Sequence, residues 1–344
     1  GESGVASTIS GITFFQGDTG SIYTHDVSGT DSTAQYNTAY GLTALDAITT
    51  GDDNVAIGYG AAGAMTTGSD NIAIGSNALD AEDTGTQNIA IGYNALTAMN
   101  FDSDGNNICI GFEAGESITT GRWNHFIGTQ AGDDFDTEHS NLGIGYRALG
   151  GSIAGGEYNI AIGNSSLDAL TSGDDNTALG YYAGSALTTG ANNVIIGKNT
   201  AAANAMVGDH NTFVGGGAAY NATDCDRNTI IGRDAGYNLT DGDDNVIVGE
   251  EAGKAITTGY NNVLIGKDAG ESITTGARNT FIGYQAGDGH DAETYNVGIG
   301  ESALGGSING GEYNTSVGPL SLDALTTGDL NVALGYTAGS AVTT

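Results

Sequence analysis

The frame Asn-x-x-(aliphatic)-Gly returns at a nearly constant interval of 17 residues. It begins at Asn37, Asn54, Asn71, Asn88 and Asn107 and continues to Asn331, eighteen copies in all, with three steps of 18 residues and one of 19. A unit this short cannot enclose a core alone, so each copy must bury its apolar side chains against the next and the chain must fold as a stack of coils. A longer period lies over the first. "EAGESITTGRWNHFIGTQAGDD" from Glu113 reappears as "DAGESITTGARNTFIGYQAGDG" from Asp268, an offset of 155, so nine coils are duplicated as a block. The copy stops at Thr344 inside a coil, which suggests a length of something longer or a unit that continues into a neighbour. Residues 1–36 lie outside the frame and are expected to form an N-terminal cap or attachment segment, with the repeat array spanning 37–344.

One coil reads Asn-x-x-Ile-Gly-x-x-Ala-(Gly/Leu)-x-x-Ile-Thr-Thr-Gly-x-x, and the positions that stay apolar place the core. The fourth is aliphatic in every copy but the first, where it is Tyr40; the eighth is usually Ala; the twelfth is usually Ile, Leu, Met or Val, as at Met65, Ile118 and Ile273. These three are expected to face inward. A short β-branched run closed by Gly, a small residue and then Thr-Thr-Gly predict two or three brief strands per coil and no long helix. The fold class is therefore all-β, a parallel β-solenoid (β-roll) of about 18 coils with 17 residues per coil. Gly after the aliphatic position fits a corner with φ > 0 or a close approach of the next coil. Asn at the head of every coil fits a stacked amide ladder, each side chain bonding to neighbouring coils and to local backbone.

The third position alternates with the second and fourth, and with the fourth inside it is expected to point outward. It carries no charge and is bulky in places (Phe126, Ile195, Phe213, Leu264, Phe281). That arrangement would expose a continuous apolar stripe, which soluble proteins avoid, and the simplest cover is the same stripe on symmetry mates about a long axis.

The coil resembles the "NxAIGxxAL…TTG" repeats of phage tail-fibre proteins and, more distantly, the "SVAIG…A" coils in the head domains of trimeric autotransporter adhesins. The resemblance covers 37–344 and implies a β-roll assembled as a parallel homotrimer. The 17-residue coil is longer than in the adhesin heads, and this sequence holds no coiled-coil stalk or membrane anchor, which favours the fibre.

Composition narrows the function classes. The chain has 59 Gly, one Pro, and no apolar run long enough to span a bilayer. Its net charge of −33, from 41 acids against 8 bases, argues against nucleic acid or an anionic membrane surface as partner. It opens at Gly1 without a basic-then-apolar secretory signal, as a processed chain or a fragment would. Cys109 and Cys225 lie several coils apart, beyond disulfide reach, and are expected to be buried free thiols.

Catalysis needs convergent acid, base or nucleophile groups, and the five His (His25, His125, His139, His210, His290) have no Ser or Cys partner at repeated spacing, so no enzyme is expected. Acidic turns offer candidate metal sites. The extra loop of the 19-residue step, "NFDSDGNN", alternates Asp102, Asp104 and Asn106 around Gly105 as in the first half of many calcium loops, without the closing Glu of an EF-hand. Asp133, Asp136 and Glu138, with their duplicates Asp288, Asp291 and Glu293, are candidates for a hard cation such as Ca2+, and so are the stacked "GDDN" turns; a solvated acidic surface is the alternative. Tyrosines recur after the Gly (Tyr59, Tyr93, Tyr146, Tyr181, Tyr284, Tyr336) and before the Asn (Tyr36, Tyr158, Tyr295, Tyr313, with Trp123 at the same place). Such rings suit stacking on sugar faces or packing between coils.

The expected function is a non-enzymatic structural segment, extracellular, in a virion tail fibre or on a cell surface. It would space and present attachment to host cells, with copies of itself and host-surface glycan as partners. A bacterial adhesin head and a self-assembling extracellular filament are the alternatives. The filament draws on Thr343-Thr344 followed by Gly1-Glu2-Ser3-Gly4, which imitates the "TTGDDN" of a coil junction.

Overall fold

A computed structural model of the chain is an all-β parallel β-solenoid of about eighteen coils, with no helix among the described residues. Those residues are 7–9, 12–16, 21–24, 33–101, 103–151, 154–307 and 309–344; Asp102, His25 and Gly1–Gly4 of the readings above lie outside them. The chain divides into two compact units, 1–172 and 173–344. The first holds eight coil strands, from β4 (Thr38–Tyr40) to β11 (Ile160–Ile162), and the second ten, from β12 (Thr177–Leu179) to β21 (Val332–Leu334).

Each coil contains one three-residue strand, not two or three. Strands of successive coils pair in parallel and in register within each unit, as Val55↔Ile72, Ala56↔Ala73 and Ile57↔Ile74 do. The remaining sides are stacked turns. The segment after the Gly corner closes on itself through bonds such as Gly63 N–H to the Gly60 carbonyl (3.1 Å) and Met65 N–H to Ala62 (3.3 Å). It also bonds to the next coil, Leu45 N–H to Ala61 (3.1 Å) and Thr49 N–H to Thr66 (2.8 Å). Left-handed residues make these turns, including the residue before each Asn, with φ 59° at Asp53 and 58° at Trp123. A backbone bent this often cannot extend into further strands.

The Asn ladder is present. Asn245 donates its backbone N–H (3.0 Å) and its side-chain Nδ2 (3.0 Å) to Oδ1 of Asn228, and Nδ2 also reaches the Gly259 carbonyl (2.9 Å), fourteen residues on, clasping the end of the coil to its start. Every frame Asn from Asn37 to Asn314 is buried. A buried amide without partners would cost several kcal/mol, roughly 2–7 depending on reference; here the partner is the same residue one coil away. The Gly corner follows the same logic. Gly180 sits at φ +142°, and a Cβ there would stand 2.5 Å from the Gly197 carbonyl oxygen.

The third frame position faces inward, opposite to the expectation above, and the fourth faces outward. Ala56, Phe126, Phe213 and Phe281 are fully buried, while the flanking Val55 and Ile57 lie on the solvent side. The cause is the period-2 alternation itself: the ladder Asn at position one is inside, so three must share its face and two and four must take the other. The eighth and twelfth positions are buried as expected, and the ninth joins them. Residues three and nine meet across the coil and share one volume. A Cβ on Gly115 would stand 2.6 Å from Cys109 Sγ, one on Gly236 2.9 Å from Ile230 Cδ1, and one on Gly132 would enter the Phe126 ring. In most coils whose third residue is small the ninth is large, as at Ala90 and Leu96; Ala56 with Ala62, Ala178 with Gly184 and Ala333 with Gly339 are small at both.

The strand stack begins one rung before the Asn frame. β1 (Ser7–Ile9) and β2 (Ile12–Gln16) form an antiparallel hairpin, and β2 pairs with β3 (Ile22–Tyr23). β3 in turn runs parallel to β4, with Tyr23 opposite Ala39 and fully buried. Ser21 stands in for the ladder Asn, its Oγ accepting from Asn37 N–H at 3.0 Å.

Candidate functional site

The acidic residues proposed as cation ligands are distributed by the coil, and each has a local task. Glu138 replaces the usual Gly near the end of its coil and is buried; its carboxylate accepts the N–H groups of Asp136 (2.9 Å), Thr137 (3.1 Å) and Gly155 (3.0 Å). Glu293 repeats this with Asp291 (2.8 Å) and Gly310 (2.9 Å). Both thereby pin the next coil at its 18-residue step, where the extra residue would otherwise leave backbone donors in a loose loop. Asp136 and Asp291 accept hydrogen bonds from Thr119 and Thr274 of the preceding coil. Asp133 and Asp288 lie earlier in the coil, at its tenth position, each with a buried Oδ1 that has no hydrogen-bond partner among the described residues. Burial pushes the Asp133 carboxyl up to about 6, with Asp134 adding to it, and burial followed by Glu271 and Asp268 raises Asp288.

In the 19-residue coil, Asp104 accepts from Thr86 Oγ1 (2.6 Å) and Asn106 occupies a left-handed turn (φ 50°). The loop is held from inside by Glu82, a buried carboxylate that accepts from Gly85 N–H (2.6 Å), Thr84 N–H (3.1 Å) and Phe101 N–H (3.4 Å). Burial keeps its pKa above the usual carboxylate range in spite of those amides. Sequence reasoning passed over Glu82, although an acid at the usually apolar twelfth position was the signal for it. Among the described residues no three His, Cys, Asp or Glu side chains gather as a metal site.

The "GDDN" turn at 242–245 has a comparable role, shared with the "GDHN" and "CDRN" turns of the two coils before it. Asp209, Asp226 and Asp243 occupy one position in successive coils, and the backbone N–H groups of Ala191, Asp209 and Asp226 donate to their Oδ1 atoms in turn at 2.7, 2.8 and 2.8 Å. Arg227 lies across this column, 2.7 Å from Asp244 Oδ1 and 3.5 Å from Asp226 Oδ2.

Several of the aromatic rings singled out above are packed between coils. Tyr295 and Tyr313 stack at 4.8 Å and 7°, Tyr93 and Phe112 at 5.3 Å and 13°, and Arg278 lies over Tyr260 and Tyr295 at 4.9 and 5.3 Å. Rings stacked along the coil axis present edges rather than faces to a ligand. Tyr59, Tyr146, Tyr284 and Tyr336 remain as exposed rings after the Gly corner. The two thiols are free and buried, and burial raises Cys109 and pushes Cys225 up to about 12, which leaves neither nucleophilic at neutral pH.

The remaining surface of chemical character is the outer face of the strands. Within each unit, positions two and four of the coils form two columns of Ile, Val and Leu with Thr among them, His125 and Tyr40 being the exceptions, and no Asp, Glu, Lys or Arg stands at either position. Comparison of the chain with protein-family models, curated proteins and solved structures returned no match.

Proposed function

We propose that the chain is a non-enzymatic structural segment of an extracellular fibre, one that spaces and presents attachment to a host cell, as its resemblance to tail-fibre repeats suggests. One observation carries the reading: the polar side chains that recur from coil to coil are spent on holding coils together. The Asn ladder, the Asp column, Glu82, Glu138 and Glu293 all bond to backbone of their own or adjacent coils. Such a repeat yields a stiff spacer and leaves Thr, Asp, Asn and scattered Tyr rings for solvent. Weak contacts of those rings with sugars gain strength by multiplicity along the array.

The test is to incubate the purified protein with cells and with their surface polysaccharide, following both retention and polysaccharide chain length. Retention with low affinity per site and unchanged chain length is the expected outcome; shortening of the polysaccharide would overturn the reading.

A further inference from the structure

We infer that the outer strand face, made by frame positions two and four, is the surface through which copies of this chain pack against one another. The interface lies on the side of the strand opposite the third-position stripe, which the coil itself buries.

Three observations point to a second copy as the occupant. The first is charge. In a chain with 41 acidic residues, neither column holds an Asp, Glu, Lys or Arg across eighteen strands, and Ile57, Ile231 and Ile299 remain 37%, 39% and 37% exposed after stacking on their own neighbours. A face meant for water in so acidic a chain would carry charge, and two copies meeting here bring no like charges into contact.

The second is area. Strands about 4.8 Å apart and about 10 Å wide give roughly 480 Å² on the ten strands of the second unit and roughly 380 Å² on the eight of the first. On the second unit alone, two copies meeting face to face would cover roughly 960 Å² in total, close to the roughly 1,000 Å² at which specific protein–protein interfaces begin.

The third is period. Side chains in each column repeat at the strand spacing, so a partner must carry the same spacing to interlock at every rung. The chain supplies that surface itself, whereas a globular protein or a lipid bilayer does not. Packing of like on like also closes the interface by symmetry.

The inference deepens the fibre reading by naming its partner, and the two are tested separately. Light scattering after size separation, on the wild type and on Ile231→Lys with Ile299→Lys, reads the mass per particle. The expected result is a multiple of the chain mass for the wild type and a single chain for the doubly substituted protein, with an unchanged far-ultraviolet circular dichroism spectrum. Both residues point away from the coil core, and Tyr284→Lys, outside the two columns, is expected to leave the oligomer intact. Wild-type particles of single-chain mass at micromolar concentration would overturn the inference, as would a doubly substituted protein that associates like the wild type. If the substitutions damage the fold, the wild-type measurement alone decides. Detergent micelles or added glycan that shift the mass of a single-chain wild type would identify a different occupant and also overturn it. A single chain that still binds cells would remove this interface and leave the attachment reading standing.

Discussion

His290 takes the twelfth position of its coil, where Phe135 stands 155 residues earlier, and it is fully buried against Phe281 with neither ring nitrogen bonded among the described residues. Burial disfavours the imidazolium and lowers the pKa from 6.5 to about 4, with Glu293 pulling more weakly the other way. The unfolded chain therefore binds a proton the folded one refuses between those two values. Stability is unaffected above pH 6.5 and lost as pH falls toward 4. Asp133 has the opposite sign: its carboxyl is raised from 3.8 to about 6, so the stability it contributes is present below 3.8 and lost as pH rises through 6. Thermal unfolding across pH 3–8 checks both. His290→Phe is expected to flatten the acid loss between 6.5 and 4, and Asp133→Asn to raise the melting temperature at pH 7 but not at pH 3. An acid limb unchanged by His290→Phe would assign that loss to other groups.

At the scale of one coil, the core is a contract between the third and ninth residues. Phe126 faces Gly132 at φ +59°, Phe281 faces Gly287, and the residue that follows each Phe one coil later at position three is again Gly, at Gly143 and Gly298. Phe126→Ala is expected to cost about 3–5 kcal/mol as a cavity, and Gly132→Leu alone to destabilise by overpacking, about 1–3 kcal/mol or more. The double substitution recreates the Ala90–Leu96 pairing found elsewhere in the chain, where Leu96 holds the same left-handed conformation (φ 53°). It should recover most of the loss in a double-mutant cycle by urea unfolding; additive costs would show that the two do not share a volume. This pairing was visible in the sequence, since every large third residue is matched by Gly or Ala at nine. Period, ladder and Gly corner were read correctly because each tolerates a single residue type. The phase of the strand was misread because its outer face is aliphatic too, so position four looked like core. The Ser21-Ile22-Tyr23 rung escaped because it lacks both Asn and Gly.

Across the whole molecule, a repeat that aligns residues also aligns charge. The acidic turns were legible in the sequence, but where they stack they have a backbone cause: Asp209, Asp226 and Asp243, at one place in successive coils, each accept the N–H of the coil before. The consequence is like charge stacked about 4.8 Å apart, well inside the screening length of about 10 Å at 0.1 M salt, in a chain of net charge −33 with only 8 bases to offset it. Arg227, between Asp226, Asp243 and Asp244, relieves one such column, and those neighbours raise its own pKa, with Asp244 contributing most. Repulsion among the remaining acids should make the folded array less stable at low ionic strength, because the extended chain spaces the same charges farther apart. The melting temperature is therefore expected to rise between about 0.01 M and 1 M NaCl, as the screening length falls from about 30 to 3 Å. Arg227→Gln should lower the melting temperature most at the dilute end and so steepen the dependence. A melting temperature that fell with salt would mean that the ion pairs outweigh the stacked carboxylates. In that case the acidic columns would be net attractive through their bases, and the Arg227 variant would show a shallower slope than the wild type instead of a steeper one.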